Sequence, residues 1–207
     1  MLKSLMSVGV LIAVSGCGGA STGESFASVT NTHRATYAEG VRISDLAREY
    51  ETTPADAPAL QGSAVYKGVM AIELPGVSTT IDRVDGDLTL EIDFAEDVIS
   101  GFASDFHSAL NGPVVGEVAI VDGIIVDDTD QKRMLAEFEG DVELARVVRE
   151  VSGLLVGEFR GDEGQTLTGG AFGTFPVTAP PSSPLSVLNV DRLSFEGGFV
   201  TERDATR

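Results

Sequence analysis

An all-β fold, specifically an eight-stranded antiparallel β-barrel, is predicted for this 207-residue chain by three features of its sequence. First, from about residue 63 the apolar residues recur with period two. In 86–94, Leu88, Leu90, Ile92 and Phe94 share one face while Thr89, Glu91 and Asp93 share the other, the pattern of a half-buried strand. Second, such segments are short and evenly spaced, as in barrels and sandwiches. Third, glycines recur at or inside them (Gly101, Gly112, Gly116, Gly123, Gly140, Gly157, Gly170), marking turns, bulges and close backbone approach. Closing eight strands removes the exposed edges that invite aggregation, which favours the barrel.

The alternation places strands at 63–74, 86–94, 98–104, 113–121, 123–128, 133–140, 154–160 and 169–177. Phe94 and Phe159 fall on the inward phase. Between 141 and 153, Leu144, Val147, Val148 and Val151 stand at i, i+3, i+4 and i+7, so a short helix is expected near 142–152, started by Asp141 and ended by Gly153. Beyond residue 177 the run Pro180-Pro181-Ser182-Ser183-Pro184 breaks any strand, and 178–207 reads either as an added strand pair around 193–201 or as a loosely packed extension.

The chain opens with Lys3, an apolar run over 5–14 and then Ser15-Gly16-Cys17, a secretory signal too short to span a bilayer. Val14-Ser15-Gly16-Cys17 resembles a bacterial lipobox, which implies cleavage after residue 16 and lipid on the Cys17 sulfur. Gly18, rather than Asp, follows that cysteine, which by resemblance to the sorting rule of enteric lipoproteins implies delivery to the outer membrane. The segment 17–60 is expected to be a flexible, glycine-rich and then polar tether, with a short helix over 44–51 capped by Ser44 and stopped before Pro54 and Pro58. The barrel would then occupy 61–177.

Composition excludes several functions. With 14 Lys+Arg against 32 Asp+Glu and a net charge of −18, no basic face is available for nucleic acid. One cysteine rules out an intrachain disulfide, a Cys-based zinc site and a Cys-x-x-Cys redox pair. No Gly-x-Ser-x-Gly elbow, phosphate-binding loop or His-Glu-x-x-His helix occurs. Ser104, Asp105, His107 and Ser108 share one expected loop, whereas a catalytic triad draws its members from separate elements. His107 therefore reads as a solvated imidazole, and His33 lies in the tether. Asp127, Asp128 and Asp130, with Glu139 further on, supply some oxygen ligands of a calcium loop. Lys132 stands at a ligand position and Arg133 where glycine is needed, so a solvated acidic turn fits better than a metal site. No catalytic residue and no cofactor is expected, and the ligand-binding residues are not marked.

Four pieces occur in a recognisable order: Ser63-Ala64-Val65-Tyr66-Lys67-Gly68; Gly86-Asp87-Leu88-Thr89-Leu90-Glu91-Ile92-Asp93-Phe94 with Val98-Ile99-Ser100-Gly101; Gly157-Glu158-Phe159-Arg160-Gly161; and Gly169-Gly170-Ala171-Phe172. Together they resemble the barrel domain of the transferrin-binding protein B-like surface lipoproteins, over about 60–177. The resemblance implies an eight-stranded barrel anchored at the bacterial outer membrane, binding a host or environmental protein without catalysis, in a setting such as iron or haem acquisition. Only one barrel is present, where transferrin-binding protein B has two lobes, and none of the family's binding residues carries over. The alternative is a carrier whose barrel encloses haem or a lipid. Inward Phe and Leu favour a filled interior, and the acidic charge points to a protein partner with a neutral or basic surface.

Overall fold

The computed structural model describes residues 34–54, 62–75, 81–128, 131–144, 147–176 and 192–204. The signal, Cys17, the Gly-rich tether, His33, Asp130 and the Pro180–Pro184 run lie outside them. Helix α1 (Arg34–Glu49) is followed by β1 (Ser63–Pro75), β2 (Ile81–Asp93), β3 (Val98–Ser108), the two-residue β4 (Gly112–Pro113), β5 (Val115–Asp128), β6 (Gln131–Leu144), β7 (Val147–Arg160), β8 (Thr166–Pro176) and β9 (Arg192–Arg203).

Every pairing is antiparallel. Neighbours run β1–β2–β3–β5–β6–β7–β8–β9, and β9 pairs back onto β1, so eight long strands form a closed barrel with β4 as a short addition to β3. The alternation read from 86–94 is the one observed, with Leu88, Leu90 and Ile92 buried and Asp87 and Glu91 exposed. Tyr66, Met70, Ile120, Met134, Phe138, Leu155 and Phe159 are among the side chains that fill the barrel. Phe159 is fully buried between Tyr66 (ring centroids 6.1 Å apart) and Phe94 (5.8 Å), and Phe94 is half-buried against the same core.

The eight staves are not the eight segments expected from sequence. Segments 113–121 and 123–128 are one strand, β5, whose register with β6 shifts between Val121 and Ile124. Asp122 sits there with φ +49°, so a bulge, not a turn, resets the alternation. The missing stave is β9, a single strand in the stretch read either as an added strand pair around 193–201 or as a loosely packed extension, and it inserts between β1 and β8. The helix expected near 142–152 is the β6–β7 hairpin, with Leu144 paired to Val147 and Val142 to Arg149. Its spacing also satisfies two strands: Val142, Leu144 and Val151 face inward, whereas Val147 and Val148 are exposed where the chain reverses. Pairing with β5 and β8 decides between the two readings.

The N-terminal helix starts ten residues earlier than expected, and Ser44 lies inside it instead of capping it. Ile43 and Ala47 are its buried stripe, and Gly40 faces Val69 on the outer face of β1. Arg42 bridges Glu39 on the helix to Glu202 on β9, and Thr36 donates to Asp87. The Arg160 guanidinium reaches the carbonyls of Ala47 and Tyr50 at the helix C-terminus. Just beyond, Thr53 is fully buried and covers one barrel end. Its N–H donates to the Phe159 carbonyl, its hydroxyl to the Gly161 carbonyl, and its own carbonyl accepts from the Lys132 N–H.

Glycine permits the tight cross-section. A side chain at Gly197 would run into the Ala71 carbonyl, and one at Gly169 into the Val156 carbonyl, so at both positions neighbouring strands lie too close for a Cβ.

Phe159→Ala should lower the unfolding free energy by about 3–5 kcal/mol, and Phe94→Ala by less because its ring is half-buried. Phe172→Ala on the outer face should stay within about 0.5 kcal/mol. Urea midpoints that place Phe159→Ala level with Phe172→Ala would contradict the inward assignment. A second expectation concerns Tyr66, whose hydroxyl donates to the Gly164 carbonyl at 2.5 Å. Burial pushes its phenol above the ordinary tyrosine range, against a smaller opposing effect of Arg203. In the unfolded chain that proton leaves near pH 10 or about there. The folded protein retains it, so this contribution is intact below about pH 10 and declines as the pH rises further. Tyr66→Phe should cost about 1–3 kcal/mol by leaving a buried carbonyl without its donor. It should also flatten the alkaline loss of stability measured by denaturant unfolding across pH 8–12, or roughly that window.

Candidate binding surface

Of the carboxylates in the expected acidic turn, Asp127 and Asp128 are described, and both are committed to neighbouring cations. Asp127 and Lys132 face each other across the β5–β6 hairpin and pair at 2.5 Å, while Asp128 pairs with Arg133 at 3.3 Å. Glu139 is not near them. It sits opposite Ala119 and Ser152, seven residues along β6 from Lys132, or roughly 23 Å at the usual strand rise. Among the described residues, no group of three or more His, Cys, Asp or Glu is placed to hold a metal ion.

His107 is neither in a loop nor solvated. It lies in β3 opposite Asp85 of β2 and Pro113 of β4, and only 5% of it is exposed. A second bulge, at Asp105 with φ +51°, turns what reads as a loop into the end of a strand. Ser108 and Asp82 do come together from separate strands, with the serine hydroxyl 2.7 Å from Asp82 Oδ2. No imidazole stands between them, so the serine proton goes directly to a carboxylate. The same hydroxyl oxygen accepts from the N–H groups of Leu110 and Asn111, and Asn111 Nδ2 donates to Asp82. This is a buried latch for the turn from β3 to β4, not a nucleophile with a base. On the opposite wall the Arg149 guanidinium lies over the Phe175 ring, 5.2 Å from its centroid.

Outside the filled interior, the described residues present an outer wall. Helix α1 packs on β1, β2, β8 and β9 and buries the outward-facing Val65 and Val69. The wall it leaves bare is unusually apolar. One row of directly opposed residues runs Val98, Ile124, Leu135, Val156 across β3, β5, β6 and β7, and these four are 38–49% exposed. The next row runs Glu73, Glu196, Phe172, Leu154, Glu137 across β1, β9, β8, β7 and β6. Beyond it lie Ser194, Thr174, Ser152 and Glu139.

The last two rows line an open groove of about 910 Å³. Gly153 and Gly173 face each other in its floor, with Phe138 and Phe195 packed beneath them where side chains would otherwise stand. The Phe172 ring folds over Gly170, and Phe172 and Leu154 are 51% and 42% exposed. The pairing register brings these residues into one surface, whereas the sequence alone places Ser152 in an expected helix and Ser194 and Glu196 in a stretch read either as an added strand pair or as an extension. No family model and no curated protein matches the chain.

The Ser108 latch has a measurable consequence. Ser108→Ala should destabilise the protein by about 1–3 kcal/mol, because Asp82 and two N–H groups lose a buried partner. Thermal unfolding of the variant unchanged from wild type would show that the latch carries no stability.

Proposed function

We propose that this protein is an outer-membrane lipoprotein, anchored through Cys17, that binds a protein ligand from the host or environment through its outer wall and catalyses nothing. The anchor rests on the Val14-Ser15-Gly16-Cys17 run, and surface nutrient capture on the resemblance to the transferrin-binding protein B-like barrels. The observation that carries the binding reading is the combination of a side-chain-filled barrel with a bare, apolar and acid-rimmed wall. A contiguous exposed apolar surface on an otherwise charged protein is characteristic of a site that meets another macromolecule. The filled interior weighs against the second reading, a barrel that carries haem or lipid inside.

Metabolic labelling with a fatty-acid analogue should tag the wild type, and Cys17→Ala should remain an untagged precursor. Partner capture from growth-environment or serum proteins should be saturable and weaken as salt rises through about 0.15 M, where the screening length falls to about 8 Å. Equal labelling of wild type and Cys17→Ala would refute the anchor. Stoichiometric haem or lipid released from purified protein would move the function to the carrier.

A further inference from the structure

We propose that the groove over Leu154 and Phe172 docks a basic amphipathic segment of a partner protein, one that presents an apolar side chain between lysines or arginines. The inference rests on the binding reading above and deepens it by placing the site and stating the chemistry it recognises.

Three observations select this occupant. The row Glu196, Phe172, Leu154, Glu137 sets an apolar pair between two carboxylates. At the usual spacing of neighbouring strands the backbones that carry these carboxylates lie about 14 Å apart, close to the width of one helix with its side chains. Glu73 and Glu139 extend the acidic rim on the two sides, and among the described residues none of the four glutamates has a cationic partner. Elsewhere on the molecule cations are already engaged by carboxylates, as Arg42, Lys67, Lys132 and Arg160 are. The neighbouring cation, Arg83, stands opposite Glu73 at one end of the row and is paired with Asp85, so the groove's own lining carries negative charge only.

Closure of the barrel removes the other common mode of peptide binding. At Glu196, Phe172 and Leu154 each strand is paired on both sides, and unpaired stretches remain only towards strand ends such as 147–151 of β7, so over this row a partner adds no strand and must be held by side chains. A second copy of this chain would bring glutamates against glutamates at a net charge of −18 per molecule, which is repulsive. The chain's own 177–191 contains no lysine or arginine to answer the rim.

The test uses residues 18–207, which retain every described element, and a fluorescein-labelled 14-residue peptide of leucine and lysine in amphipathic helical order, read by anisotropy. Saturable binding is expected, with no binding of the leucine–glutamate counterpart. Phe172→Ser and the double variant Glu137→Lys/Glu196→Lys should each weaken it by about tenfold or more, which corresponds to ~1.4 kcal/mol. Both variants lie on the exposed wall, and unchanged thermal unfolding verifies that they fold. Wild-type indifference to the peptide, variants that bind like wild type, or pentalysine binding as tightly as the amphipathic peptide would each overturn the proposal. A dimer seen by sedimentation and abolished by Phe172→Ser would assign the groove to a second copy and overturn it as well. Partner capture that survives both groove variants would remove this site while leaving the binding function intact, whereas peptide binding without any partner capture would leave the site and remove the function.

Discussion

The hydrogen-bonded ladder that β9 closes against both β1 and β8 is the constraint on which the rest of this molecule depends. Eight strands without that closure would present two edges with unpaired N–H and C=O groups, and the apolar inward faces of β1 and β8 would have no neighbour between them. With β9 in place, Phe195, Phe199 and Thr201 complete the interior, and Phe195 meets Phe138 from across the barrel at 6.0 Å between ring centroids. Closure also fixes which residues stand side by side outside. Glu196 reaches Phe172 only because Gly197 pairs with Ala171.

A narrow barrel with a full complement of Phe, Tyr, Leu and Ile inside has little room at its corners. Glycine relieves this where strands crowd: at Gly153 and Gly173 the backbones of β7 and β8 approach with aromatic rings directly below. The same absence of side chains hollows the outer wall, so the groove is a by-product of how the core is packed. Glycines that read as structural punctuation therefore also shape the outer surface.

The architecture was legible from sequence where alternation is undisturbed, as along 86–94, and the closed eight-stranded barrel follows from it. It was not legible where local geometry resets the period. Asp122 and Asp105 each adopt positive φ and introduce a bulge, which made one strand look like two and the end of β3 look like a loop around His107. The 142–152 misreading has a different cause, since two short strands around a reversal can mimic helical spacing and only their neighbours distinguish them. The groove was beyond local reading altogether. Its residues come from five strands, spaced from Glu73 to Glu196, and no pattern within one segment marks them.

The two sides of the barrel carry different residues outward. On β1, β9 and β8 the row that continues Val156 consists of Gly170, Gly198 and Ala71, small residues on the side where α1 packs and where Arg42 ties the helix to Glu202. On β3, β5, β6 and β7 the same row carries Val98, Ile124, Leu135 and Val156, branched residues with no element over them among the described residues. Had those positions been selected only to lie in water, charged or hydroxylic residues would serve the strands as well and would better oppose aggregation. Acidic residues instead border the apolar ones, as Glu137 borders Leu154 and Glu139 borders Ser152. On the proposed reading, that arrangement would set like copies apart by charge and leave an apolar surface open to a partner of opposite sign, with the same carboxylates serving both ends.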